Sequence, residues 1–344
     1  MSSYQKLDQK KTKKIRWIFW LLIIAFIWFI VTKQTEIKNL VHVFSQGKWA
    51  WMLSALLMQI FFYVLYAMML RSAFSAVGTQ GRFLEILPLT VIVVFVNTVT
   101  PAAGSAGIAL FARDATRRGR SGVRATSGNL LATVIEFLAF LLVLVIGMVY
   151  LFVQHDLKIY EIIAAIALVL YIGIQTAVLL LGLWQPALLH KLLDFVQHLI
   201  NLVLSKFKRH SPLKDIWAKK TAEEFTTAAV AIGKHKNRLI RTFGIALGMQ
   251  VVNIACLYAL FLAFKHPIKL GALVAGYAVG FLFLNISPIP QGIGIVEGVM
   301  TLVYASLDVP GEVALIITLA FRGLTFWLPF MLGFILLRLA KINL

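Results

Sequence analysis

Of 344 residues, 60% are apolar and 14% charged, where an ordinary soluble domain has roughly 45 to 50% apolar and 25% charged, so the chain reads as an integral membrane protein. The net charge of +19 could suit nucleic acid, but its distribution follows the positive-inside bias of membrane proteins and argues against that partner. A single cysteine, Cys256, excludes a disulfide framework and a cysteine metal site, and none of the seven histidines forms a His-x-x-x-His pair or sits beside a plausible acidic co-ligand, so no metal or cofactor is expected.

In chain order, six Lys or Arg precede Trp17, within an apolar run over residues 15–31. No small-x-small cleavage site follows, which predicts an uncleaved first span with its amino end in the cytoplasm. Residues 49–70 hold no charge and form the second span. Residues 129–153, 160–183, 239–264 and 313–337 are each long enough to cross a core of about 30 Å at about 1.5 Å per residue.

Two apolar segments are interrupted. In residues 94–113, VFVNTVTPAAGSAGIALFAR, Pro101 follows Thr100, with Gly104 and Gly107 beyond. Proline removes a backbone donor and disfavours helix at the residue before it, so the run should break between Asn97 and Gly104. In residues 283–299, FLNISPIPQGIGIVEGV, the order recurs, with Asn285, Ser287-Pro288, Pro290, Gln291, Gly292 and Gly294. Broken apolar segments in corresponding halves point to the site of a transporter built from repeats.

Basic residues decide how the breaks are drawn. If each interrupted segment enters and leaves on one side, 26 of the 33 Lys and Arg lie in cytoplasmic loops, as the positive-inside rule favours. The arms also look too short to cross. The resulting fold class is an all-α polytopic membrane protein with six full spans and two re-entrant helical hairpins in an inverted repeat, both termini cytoplasmic. The chain is then one transmembrane domain over residues 1–344: first span and external loop 1–48, first repeat 49–153, connecting span 154–183, linker 184–238, and second repeat with tail 239–344. The linker is basic, with amphipathic stretches at 188–207 and 215–236 expected to rest on anionic headgroups, a partner-docking site being the alternative.

Ionisable groups at depth carry the functional argument, since one near a helix centre costs about 2.5 to 3.5 kcal/mol on insertion scales. Glu136 follows Pro101 by 35 residues and Arg322 follows Pro288 by 34, which makes them near-equivalents in the repeats. They are expected to approach each other or a shared wet cavity, with Glu297 nearby; a structural ion pair is the alternative. Asn97, Thr100, Asn285, Ser287 and Gln291 supply neutral polar groups at the breaks, either for a phosphate or hydroxyl headgroup or for the freed backbone itself. A helix beginning near Gly104 or Gly294 would aim a partly positive amino end into the bilayer. Arg113, with Asp114, Arg117 and Arg118, would gather anionic lipid or mark topology. No nucleotide-binding Gly-Lys motif, dinucleotide fingerprint or Ser-His-Asp arrangement occurs, so no catalytic residue is assigned.

The run Pro290-Gln-Gly-Ile-Gly-Ile-Val-Glu297, with Ala320-Phe-Arg322 and Trp327-Leu-Pro329 before Gly333, resembles the carboxyl-terminal signature of the lysylphosphatidylglycerol synthase transmembrane, or flippase-like, family. Residues 97–107 and Glu136 resemble its first signature, although Ser105, Ala106 and Gly107 stand where members often carry an acidic residue and an Arg. The resemblance implies a multi-pass protein of the bacterial cytoplasmic membrane that moves a phospholipid such as lysylphosphatidylglycerol between leaflets. It also implies membrane lipids, anionic or aminoacylated, as partners. It leaves open a soluble synthase or other membrane partner, an oligomer, and the readings of an aminoacyl-lipid synthase or a non-transporting scaffold. The synthase's soluble domain is expected to be absent, since only seven residues follow the last span.

Overall fold

The computed structural model describes residues 47–79, 81–99, 105–206 and 217–339. Regular structure among them is helical, without strands. In chain order the helices are α1 (Trp49–Ala76), α2 (Phe83–Val99), α3 (Ser105–Arg117), α4 (Gly122–Val153), α5 (Ile159–Trp184), α6 (Pro186–Lys206), α7 (Trp217–Lys234), α8 (Lys236–Ala263), α9 (Leu270–Ile286), α10 (Ile295–Ser306), α11 (Gly311–Arg322) and α12 (Leu328–Leu339). A π turn, Gly323–Trp327, makes α11 and α12 one continuous rod.

Five helices are long and apolar enough to cross a bilayer, namely α1, α4, α5, α8 and the α11–α12 rod. They fall on five of the six predicted spans, and the chain is a multi-pass membrane protein. The sixth, residues 15–31, lies outside the described residues. α1 and α8 run past their apolar cores to take in Arg71 and the Lys236 to Arg241 turn. Water satisfies the free backbone groups of a helix end, which lipid cannot, so a helix can run past the bilayer core and its length need not equal the span. α2, α9 and α10 are apolar but shorter, 17, 17 and 12 residues.

The described residues divide into two compact units, one lying within residues 1–61, 88–110 and 252–344, the other within residues 62–87 and 111–251. In the first unit, α9 and α10 pack antiparallel on small residues. Gly276 faces the Tyr304 ring and Gly280 faces Met300 so closely that a Cβ at either position would overlap the neighbour. The Tyr304 hydroxyl donates to the Leu273 carbonyl at 3.1 Å. Without a strong hydrophobic force between helices in lipid, such close approach supplies the packing. α12 meets α2 in the same manner, with Gly333 against the Val91 carbonyl and Phe95 between Phe330 and Phe334, centroids 5.4 and 5.5 Å away.

In the second unit, Gly128 of α4 admits Phe74 and Val77 at the end of α1. The amphipathic stretches form α6 and α7. α7 is more than a surface linker: its Ala218, Ala222, Phe225, Ala228 and Ala229 are buried, Phe225 and Ala229 against Gly182 of α5. Its Glu224 also accepts a hydrogen bond from Ser121, the residue capping α4. α6 keeps an exposed apolar stripe that includes Phe195 and Leu199.

Candidate functional site

The site begins where α9 stops. Pro288 and Pro290 cannot donate backbone hydrogen bonds, so the helix cannot continue. Ser287 closes it by giving its N–H to the Phe283 carbonyl, and its hydroxyl accepts from the Ile289 N–H at 3.1 Å. Pro290–Gly292 makes one 3-10 turn, in which Gln291 takes the left-handed conformation at φ 57°. That conformation is uncommon for a residue with a side chain and signals strain held by its surroundings. Gly292 and Gly294, at φ 59° and 84°, take up the next sharp bends, which a Cβ would resist.

Gly294 caps α10, and Glu297 accepts its N–H through Oε2 at 2.7 Å. The partly positive amino end of α10 is therefore satisfied by a carboxylate from within the chain. The other carboxylate oxygen, Oε1, accepts from Arg322 Nε at 2.7 Å. Arg322 Nη2 donates to the Gln291 carbonyl, also at 2.7 Å. The guanidinium lies over the Phe326 ring, 4.9 Å from its centroid, a cation–π arrangement. Arg322 is 3% exposed. One buried cation thus ties the strained loop to the start of α10.

Local sequence explains why α11 delivers Arg322 at this point. Pro329 lacks the N–H that an α-helix would offer the Thr325 carbonyl, and the chain widens into the π turn, with the Leu328 N–H reaching Gly323 O. Such turns inside helices recur at functional sites.

Glu297, Arg322 and Gln291 are therefore brought together, and Pro288, Pro290, Gly292 and Gly294 shape the loop that holds them. Asn285 instead serves its own helix, donating to the Phe281 carbonyl at 2.8 Å. At the first interruption, Asn97 Oδ1 accepts the Gly107 N–H at 2.9 Å, setting the start of α3 beside the end of α2. A Cβ at Gly107 would lie 2.7 Å from Val93 Cγ1, so the contact needs glycine. Thr100, Pro101 and Gly104 lie outside the described residues.

Glu136 belongs to the second unit, half-buried on α4, within electrostatic reach of Tyr66 on α1. Among the described residues it forms no ion pair. Arg113, on α3, is exposed. Sequence reasoning did not single out Glu85. It accepts from Arg120 Nη1 at 3.1 Å and lies 3.2 Å from Arg118 Nη1, so the start of α2 and the turn after α3 meet. Its one signal was isolation, as the only acidic residue between Glu36 and Asp114.

A family described as the lysylphosphatidylglycerol synthase TM region matches residues 17–333. The UPF0104 membrane protein PH1989 of Pyrococcus horikoshii is 22% identical over 319 residues, covering 92% of this chain and 93% of that protein.

Proposed function

This chain belongs to the lysylphosphatidylglycerol synthase transmembrane-region family, and from that membership we propose that it is a flippase-like lipid translocase of the bacterial cytoplasmic membrane. It moves a phospholipid such as lysylphosphatidylglycerol, or a related polar lipid, between leaflets. The observation that carries the reading is the Arg322–Glu297 pair, hydrogen-bonded to the Gln291 carbonyl at the interruption of the α9–α10 hairpin. An ion pair buried in an apolar chain is expensive to keep, and the usual reason to keep one at membrane depth is a path for polar cargo.

In this reading both interrupted segments are re-entrant, flanked by six full spans with both termini in the cytoplasm. The α9 and α10 arms, at roughly 25 and 18 Å for 17 and 12 residues, fall short of a core of about 30 Å. Glu85 meeting Arg118 and Arg120 supports a first hairpin that returns to the side it left. The headgroup passes the polar groups at Asn97, Asn285, Ser287 and Gln291 while its acyl chains stay in lipid. Arg322 and Glu297 contribute charges of opposite sign, suited to an aminoacylated headgroup that carries both.

The test is reconstitution of the purified chain in liposomes with headgroup-labelled phosphatidylglycerol or lysylphosphatidylglycerol and an external quencher. Inner-leaflet label should become accessible with the wild type. Glu297→Gln keeps an acceptor for the Gly294 N–H but loses the charge, and should abolish that exposure. No exposure with wild type, or full exposure with Arg322→Ala and Glu297→Gln, overturns the reading.

A further inference from the structure

The second unit holds a cavity of about 560 Å³ whose wall includes five arginines, Arg71, Arg82, Arg120, Arg238 and Arg241, and, among the described residues, no carboxylate. We propose that this cavity binds a phosphate group, as a soluble phosphate-bearing anion or as a phospholipid headgroup. Its size lies within the range of about 300 to 1,000 Å³ usual for small-molecule sites. The arginines arrive from four places in the chain: the end of α1, the turn before α2, the turn between α3 and α4, and the first turns of α8. Arginine used only as a topology signal needs no convergence. Arginines gathered around one hollow repel each other, an anion there relieves the repulsion, and the planar guanidinium forks match phosphate oxygens in pairs.

The framework around the hollow is held by groups other than the free cations. Thr242 Oγ1 donates to the Arg238 carbonyl at 2.7 Å and lies 2.8 Å from Ser72 Oγ. The Arg238 guanidinium in turn donates to the Ser75 carbonyl. These bonds stitch the end of α1 to the start of α8, which sets Arg71 and Arg241 on a common wall. Arg120 is positioned by Glu85. Arg71, Arg82 and Arg241, by contrast, form no ion pair among the described residues, and their charge is available to a ligand. Gly81 also lies on the wall, where a Cβ would come 2.8 Å from Ile86 Cδ1 and 3.8 Å from Arg120 Nη1. A side chain there would crowd the site.

Two probes separate the sources. Inorganic pyrophosphate is titrated calorimetrically into the purified chain in a neutral, phosphate-free detergent, at ionic strength fixed with sodium chloride. In parallel, native mass spectrometry counts phosphatidylglycerol retained over phosphatidylcholine from mixed nanodiscs. Saturable binding of one ligand per chain is expected from at least one probe, and Arg71→Gln/Arg241→Gln should weaken it about tenfold or more through two lost charge-assisted contacts. Among the described residues neither side chain forms an ion pair or a hydrogen bond, so the double variant should melt as the wild type does; Arg82→Gln alone serves if it does not. Binding of pyrophosphate alone identifies a soluble ligand, and selective retention of phosphatidylglycerol alone identifies a headgroup. The absence of both, or binding unchanged in the variants, overturns the proposal. Translocation is read through Glu297 and Arg322, so either idea can fail without the other.

Discussion

Arg322 Nε and Glu297 Oε1 lie 2.7 Å apart across 25 residues of sequence, with 4% and 14% of the respective side chains exposed. Each group offsets the desolvation of the other. Removing one partner of such a buried pair typically costs about 3 to 5 kcal/mol, because the survivor is left charged and unmatched. Arg322→Ala should therefore lower the thermal midpoint in detergent sharply. Arg322→Met combined with Glu297→Gln should be less destabilised than the two single changes summed. A strictly additive double mutant would show that the pair is not coupled.

The glycine contacts give a contrast within one fold. A Cβ at Gly333 would stand 2.7 Å from the Val91 carbonyl and 2.9 Å from Phe95 Cβ, and a helix backbone cannot yield as a side chain can. Gly333→Ala should destabilise by about 1 to 3 kcal/mol. Gly173, on α5, has nothing within 4 Å, and alanine there should leave stability unchanged or raise it by up to about 1 kcal/mol. Thermal unfolding of both variants under one set of conditions reads the difference.

Glu85 ties the start of α2 to the turn after α3, so the two ends of that segment should share one side of the membrane. In a Cys256→Ala background, Glu85→Cys and Arg117→Cys should both react with a membrane-impermeant maleimide in opened vesicles of cytoplasmic access, and neither in intact cells. Labelling of only one from outside would mean that the segment crosses. The Glu85 pairs are partly exposed, so Glu85→Gln should cost no more than about 1 kcal/mol and less at high salt.

α6 carries Phe195 at 67% and Leu199 at 50% exposure on one stripe, while Asp194 and Asn201 point to another side of the helix. A helix of that pattern lies in the interface with its apolar side in the acyl region. A nitroxide at Leu199→Cys should collide more with oxygen than with an aqueous nickel chelate, and one at Asp194→Cys the reverse. Equal accessibility at both positions would place the helix in water.

Five spans were legible before any coordinates because an uncharged apolar run is a local property, and lipid leaves the backbone little choice but helix. The second break was legible for the same reason: Pro288 and Pro290 halt a helix wherever they stand, and Gly292 and Gly294 permit the left-handed turns that follow. The fate of the charged groups was not local. Spacing in the repeats set Arg322 and Glu136 near each other or a shared cavity, with Glu297 nearby; the hydrogen bonds of Arg322 go to Glu297 and to the Gln291 carbonyl, the latter a backbone atom that no residue type announces. The basic cavity was hidden likewise, as its arginines are scattered from position 71 to 241 and each alone looks like a topology signal. Patterning along the chain determined what enters the membrane, since hydrophobicity acts residue by residue. Tertiary structure decided which polar atoms meet, since a hydrogen bond depends on distances that only the packed helices set.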